Sequence, residues 1–133
     1  MAAVDTNVLL RLLLSDDEEQ ARAGRALQRT HAPLFVSHVV LGEAAWVLTS
    51  AYGFTRERLG ELIDMLLDTE GLALQEPEVV HAALVAYRDS TADFSGCLIL
   101  SIAERAGMLP LATFDEKLAK LPNTRRLGKK RKR

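Results

Sequence analysis

At 133 residues, 48% hydrophobic and 26% charged, the chain is sized for one soluble domain with a packed core, which excludes a disordered or fibrous composition. Its single cysteine, Cys97, excludes an intramolecular disulfide framework, and no apolar run reaches the roughly 18–20 residues that span a membrane. The start, Met1-Ala2-Ala3-Val4-Asp5, lacks the basic opening and long apolar stretch of a signal peptide, so the cytoplasm is the expected setting.

The net charge of −1 hides an asymmetry. Residues 125–133, RRLGKKRKR, hold seven of the 17 basic residues and no acid, which leaves ten basic against 18 acidic residues, or −8, in residues 1–124. The domain is read as residues 1–127 and the basic tail as 128–133. Two readings of that tail stand side by side: a phosphate-contacting arm, and a disordered, solubilising end.

In chain order, residues 2–4 read as a first strand. It runs into Asp5-Thr6-Asn7, a cap for a helix carrying residues 8–14. Ser15 reads as the cap of a second helix to about Thr30, whose acidic first turn suits the helix dipole. Leu34–Val36 is a short strand after Pro33, and residues 39–51 form an apolar helix closed by Tyr52-Gly53. Thr55 caps the next helix, with Leu59, Leu62, Ile63, Leu66 and Leu67 on one buried face. Leu72–Leu74 is a third strand, and Pro77 opens a helix to about Arg88. Asp93 starts another helix, ending at Gly107. Leu111–Thr113 is a fourth strand and residues 125–127 a fifth. Short strands separated by helices of ten or more residues require crossover connections, so the fold class is α/β with a mainly parallel sheet of four to five short strands flanked by helices. Ligands gather at the carboxyl ends of such strands.

Four acids stand alone in apolar runs. Asp5 is the only charged residue in the first ten, Glu43 the only one between Phe35 and Ser50, and Asp93 the only one between Thr91 and Ala103; Asp115 ends the uncharged run from Ala106. Asp5 and Asp115 directly follow strands, Asp93 begins a helix, and Glu43 lies one to two turns into one. Carboxylates gathered in a half-buried pocket repel one another and lose hydration, and Mg²⁺ or Mn²⁺ relieves both costs. Such ions orient phosphate and activate water. Helix capping is the competing reading for Asp5, Asp93 and Asp115. Glu43 has no capping role to play, and burial of an unpaired Glu is costly.

At Val4-Asp5-Thr6-Asn7-Val8-Leu9, Ser37…Glu43, Asp93-Phe94-Ser95-Gly96-Cys97-Leu98-Ile99 and Thr113-Phe114-Asp115, the sequence resembles PIN-domain proteins, in particular VapC-type toxins of bacterial toxin–antitoxin pairs. The resemblance covers the chain to about Leu127. It implies a PIN-like three-layer α/β sandwich, Mg²⁺- or Mn²⁺-dependent endoribonuclease activity and a structured RNA substrate such as tRNA or rRNA. It further implies a homodimer and inhibition by a VapB-type antitoxin, with the option of a higher toxin–antitoxin assembly. Asp5, Glu43 and Asp115 match the family's acidic positions, and Asp93 an acid often found at the start of its helix. Asp5, Asp93 and Asp115 are the expected metal ligands, with Glu43 among the catalytic carboxylates.

Gly96 departs from that pattern, because the family usually places a metal-ligating aspartate immediately before the Cys97-Leu98-Ile99 position. Glycine offers no donor and disfavours helix by about 1 kcal/mol relative to Ala. The expectation is therefore a site impaired at Gly96, with a catalytically silent antitoxin- or RNA-binding dimer as the alternative. Thr6, Asn7 and Thr113 are supporting candidates: Thr6 and Thr113 as outer-sphere hydrogen-bonding groups or strand-end packing, and Asn7 as a phosphate-positioning group or helix cap. His31, His38 and His81 lack metal-ligand spacing, Cys97 reads as core, and Trp46 as core or dimer surface. A small-molecule phosphatase is disfavoured, since Asp5-Thr6-Asn7 lacks a second aspartate.

Overall fold

Strand pairing begins at the first residues of the chain. In the computed structural model, which describes residues 1–14 and 16–128, β1 (Ala2–Ala3) pairs in parallel with β2 (Leu34–Val36), and β2 with β3 (Leu72–Leu74). The register sets Ala2 beside Leu34 and Leu34 beside Leu72, and the pairing continues past β1 through the Val4 amide to the Phe35 carbonyl at 3.1 Å. These strands belong to the first of two compact units, Met1–Pro77; the second begins at Glu78. The expected α/β class with parallel strands and intervening helices is present.

In the first unit, α1 (Thr6–Leu13) is capped by Asp5, whose Oδ1 accepts from the Val8 amide at 3.0 Å. Leu9 and Leu10 on α1 are buried. The helix α2 (Glu18–His31) is capped by Asp17, accepting from the Gln20 amide at 3.0 Å, and not at Ser15, which lies outside the described residues. Glu18 and Glu19 in its first turn and Arg29 in its last complement the helix dipole. Gly24 lets α2 approach α1 closely, since a Cβ there would lie 3.2 Å from Leu12 Cδ2. Next come α3 (His38–Ser50), capped by Ser37, and α4 (Arg56–Leu67), capped by Thr55. Leu59, Ile63 and Leu66 form the buried stripe of α4, while Leu62 and Leu67 are only half-buried.

The second unit follows the start of α5 (Pro77–Arg88) and contains α6 (Phe94–Ala106), β4 (Leu111–Thr113) and β5 (Thr124–Arg126). β4 and β5 pair in parallel, with Leu111 beside Thr124 and Thr113 beside Arg126. The five strands therefore pair as three and two. Asp93 caps α6, and Gly107 ends it in the left-handed conformation at φ +70, which glycine adopts without steric cost. Tyr87 and Phe94 meet edge to face with ring centroids 5.8 Å apart, and the Ser101 hydroxyl donates to the Val79 carbonyl at 2.7 Å, tying α6 to α5. Cys97 is fully buried beside them, as a core residue should be. No helix among the described residues is long and apolar enough to cross a membrane. Residues 129–133 of the basic tail lie outside the described residues.

Candidate active site

In the first unit the chain leaves β1 at Asp5 and turns directly into α1, so Asp5 stands at the carboxyl end of a parallel strand. One of its oxygens caps the helix; no partner among the described residues engages the other. The next residue, Thr6, donates its hydroxyl to Glu43 Oε1 at 2.5 Å, joining the start of α1 to the second turn of α3. Asp5 and Asn7 also border a cleft of about 450 Å³ between α1 and α2, whose other walls include Val8, Arg11, Gln20 and Leu27.

All four isolated acids are exposed, which corrects the expectation of half-buried carboxylates. For Glu43 the reason lies in α3. Leu41, Ala44, Ala45 and Leu48 form its buried stripe, while Val39, Glu43 and Trp46 share the opposite face, Val39 at 71% and Trp46 at 61% exposure. An outer face carrying large apolar groups made the helix read as buried all round. No burial cost therefore attaches to Glu43; the hydrogen bond from Thr6 holds it.

The second unit presents Asp93 and Asp115. Asp93 Oδ1 accepts from the Gly96 amide at 2.8 Å. Asp115 Oδ1 accepts from the Leu118 amide at 2.9 Å, where a short 3₁₀ turn begins, while Thr113 Oγ1 accepts from the Asp115 amide at 3.0 Å. Thr113 thus shapes the turn that carries Asp115. The capping reading holds for Asp5 and Asp93; Asp115 instead closes the turn ahead of the 3₁₀ segment, whose own N-cap is Lys117. A cap uses one carboxylate oxygen, so it leaves the other oxygen for a ligand.

Gly96 sits where a side chain would be crowded. A Cβ there would lie 2.8 Å from Asp93 Oδ1 and 3.3 Å from Leu118 Cδ2, so the Asp93 carboxylate would have to turn. The two aspartates are linked through this spot, because Leu118 packs beside Gly96 and donates its amide to Asp115.

Exposed carboxylates and hydroxyls suit a hard divalent cation in donor type. Within each unit, no three His, Cys, Asp or Glu side chains among the described residues gather closely enough to hold one. The donors fit such an ion in kind, and Gly96 contributes none.

The histidines stay outside this chemistry. His31 contacts Thr30 Oγ1 at 2.7 Å, His81 is exposed, and buried His38 leaves Nε2 without a partner among the described residues. Sequence reading missed a network beside the cleft. Arg11 donates to Asp16 Oδ1 at 2.8 Å and to Gln20 Oε1 at 2.6 Å, and the Tyr52 hydroxyl donates to Asp16 Oδ2 at 2.9 Å. The Tyr52 hydroxyl, and after it the Arg11 charge, hold the Asp16 carboxyl below the usual carboxylate range. The only signal in the sequence was that Arg11 is the lone charged residue of α1.

Compared with known proteins, residues 2–123 match the family model described as PIN domain. The chain is also similar to a VapC ribonuclease of Aquifex aeolicus (strain VF5), 25% identical over 124 residues that cover 91% of this chain and 92% of that protein. On the extent of that match the chain belongs to the PIN domain family.

Proposed function

We propose that this protein is a metal-dependent endoribonuclease of the VapC toxin type, impaired at Gly96. The observation that carries this reading is the family match over residues 2–123, supported by the similarity to a VapC ribonuclease along 91% of the chain. A bound Mg²⁺ or Mn²⁺ supplies a Lewis acid for the phosphate and a more acidic water. The chain's own contribution is to present carboxylates and fix their direction. Asp5, Asp93 and Asp115 are anchored at helix or turn starts by one oxygen each and offer the other. Thr6 fixes Glu43 through Oε1 and leaves Oε2 to accept a proton. Asn7 and the Asp5 carboxylate border the α1–α2 cleft, where substrate or inhibitor groups can be received.

The accompanying assignments belong to the same proposal: a cytoplasmic protein acting on tRNA or rRNA, a homodimer, and a VapB-type antitoxin whose Arg or Lys competes with metal for the acids. Exposure of Val39 and Trp46 on one face of α3 supports a protein partner there.

The test is RNA cleavage with Mg²⁺ or Mn²⁺ by the parent chain and by Gly96→Asp. The expected result is cleavage at least about tenfold faster in Gly96→Asp, abolished by chelation and by adding Asp5→Asn. Equal, robust cleavage by parent and variant would defeat the impairment; cleavage indifferent to chelation would defeat the metal reading. Gly96 itself favours a second reading, a silent PIN domain that binds antitoxin or RNA without cutting. Calorimetric titration of Mg²⁺ and Mn²⁺ separates the two, since the silent domain takes up neither ion and Gly96→Asp restores uptake.

A further inference from the structure

Residues 1–77 contain six basic residues, and three of them, Arg22, Arg25 and Arg29, lie on α2. Spacings of three and four residues place them within one narrow sector of the helix, and all three are exposed. None has an ion pair among the described residues, although Glu18 shares the sector and Glu70 stands across the neighbouring cleft. That cleft, of about 440 Å³, is lined by Arg25, Gln28, Arg29, Ala32, Glu70 and Gly71. Gly71, at φ +89, brings the lead-in to β3 against α2, where a Cβ would lie 3.5 Å from Gln28 Nε2. Two guanidinium forks and an amide thus border one open groove in a body whose net charge is strongly negative.

We infer that the Arg22–Arg25–Arg29 ridge and its groove bind the sugar-phosphate backbone of the RNA strand away from the cut. This inference rests on the ribonuclease reading above. Three features select a nucleic-acid strand over other polyanions. Arg22 and Arg29 are seven residues apart, about 10 Å along the helix axis, which spans about three phosphate-to-phosphate steps at about 3.4 Å of strand rise. All three cations are arginine, whose planar fork pairs with two phosphate oxygens at once. Gly71 is also level with Met1 in the sheet register, four residues before Asp5, or about 13 Å along the strand direction at about 3.3 Å per residue. A stacked strand covers that distance in about four nucleotides. The ridge therefore touches only substrates that extend several nucleotides beyond the scissile phosphate.

The experiment is fluorescence anisotropy of the full chain with a single-stranded RNA 12-mer and a 3-mer, in Ca²⁺ and across a salt series. R22Q/R25Q/R29Q is expected to weaken 12-mer binding about tenfold or more, with little change for the 3-mer. The log–log salt slope should become shallower by about 2, from roughly 0.7 per lost phosphate contact. R56Q/R58Q/R105Q, which removes the same charge elsewhere, should leave the slope within about 0.5. R22K/R25K/R29K should keep the slope, because it keeps the charges. An unchanged slope in the Gln triple variant, or an equal loss in the control, overturns the ridge and leaves the ribonuclease reading standing. A Lys variant that fails as the Gln variant does shows a packing role, which also overturns it. If the Gln variant keeps RNA binding but loses a poly-glutamate peptide, the ridge serves an acidic protein segment and the inference fails. A parent chain that binds no RNA at all defeats both readings.

Discussion

The Thr6 hydroxyl donates to Glu43 Oε1 across 37 positions of sequence and at 2.5 Å, binding the residue after one isolated acid to the side chain of another. A carboxylate on an exposed helix face is otherwise free to rotate, so this single bond sets where Glu43 presents its remaining oxygen. Thr6→Val keeps the shape and removes the donor. In the Gly96→Asp background it should lower kcat about tenfold, equivalent to about 1.4 kcal/mol, while Thr6→Ser retains activity. Unfolding should shift by less than about 4 °C in either case, the change expected of about 1 kcal/mol. Steady-state kinetics beside thermal melts check this, and an unaffected kcat in Thr6→Val would remove Glu43 positioning from the scheme.

Asp5 and Asp93 each cap a helix and each offer a second oxygen, and the two roles separate by substitution. Asn caps about as well as Asp, so Asp5→Asn and Asp93→Asn should change stability by only a few tenths of a kcal/mol, whereas Ala at either position costs about 1 kcal/mol. Metal uptake should fall in all four variants. Urea unfolding and ion titration on the same proteins make the comparison. A large stability loss in Asn variants, with metal uptake retained, contradicts the shared role.

At Gly96 two small effects oppose each other. Ala gains about 1 kcal/mol of helix propensity but crowds the Asp93 carboxylate that caps α6. Gly96→Ala should therefore be nearly neutral alone, within about 0.5 kcal/mol, and stabilising by about 1 kcal/mol when Asp93 is already Ala. Additivity in the double-mutant cycle would show that the crowding carries no cost.

Asp16 accepts hydrogen bonds from Tyr52 and Arg11, which hold its carboxyl below the ordinary range. A carboxyl depressed in the folded state stabilises above its unfolded pKa, about 3.9, and that contribution is lost as pH falls through the lower folded value. The stability difference between parent and Asp16→Asn should thus be constant from pH 7 to about 5, narrow below about 4, and vanish once the folded carboxyl is protonated. Tyr52→Phe removes the larger cause and should raise the Asp16 midpoint toward 3.9, as read by carboxyl NMR titration. A midpoint indifferent to Tyr52→Phe would assign the depression to Arg11 alone.

Much of the fold was legible because its causes are local. The alternation of short strands with helices, and most helix starts, depend on residues within a few positions of one another. Thr55 and Asp93 cap where their side chains can reach an amide three residues on. Where two caps compete locally, sequence does not choose: α2 begins after Asp17, not after Ser15. The fifth strand is offset by one residue for a related reason, as its ends are set by pairing with β4.

The isolated acids were legible too, since their solitude is a property of the chain. By itself the sequence determined an α/β pattern and the four isolated carboxylates at Asp5, Glu43, Asp93 and Asp115, while only the family resemblance marked Gly96 as a departure. Tertiary structure alone decided that these carboxylates are exposed, that Thr6 holds Glu43, and that Asp16 bridges Arg11 and Tyr52. Each of those depends on which faces meet when distant helices pack. An apolar helix such as α3 carries no mark of which side turns outward, so only packing could place Glu43 on the open face.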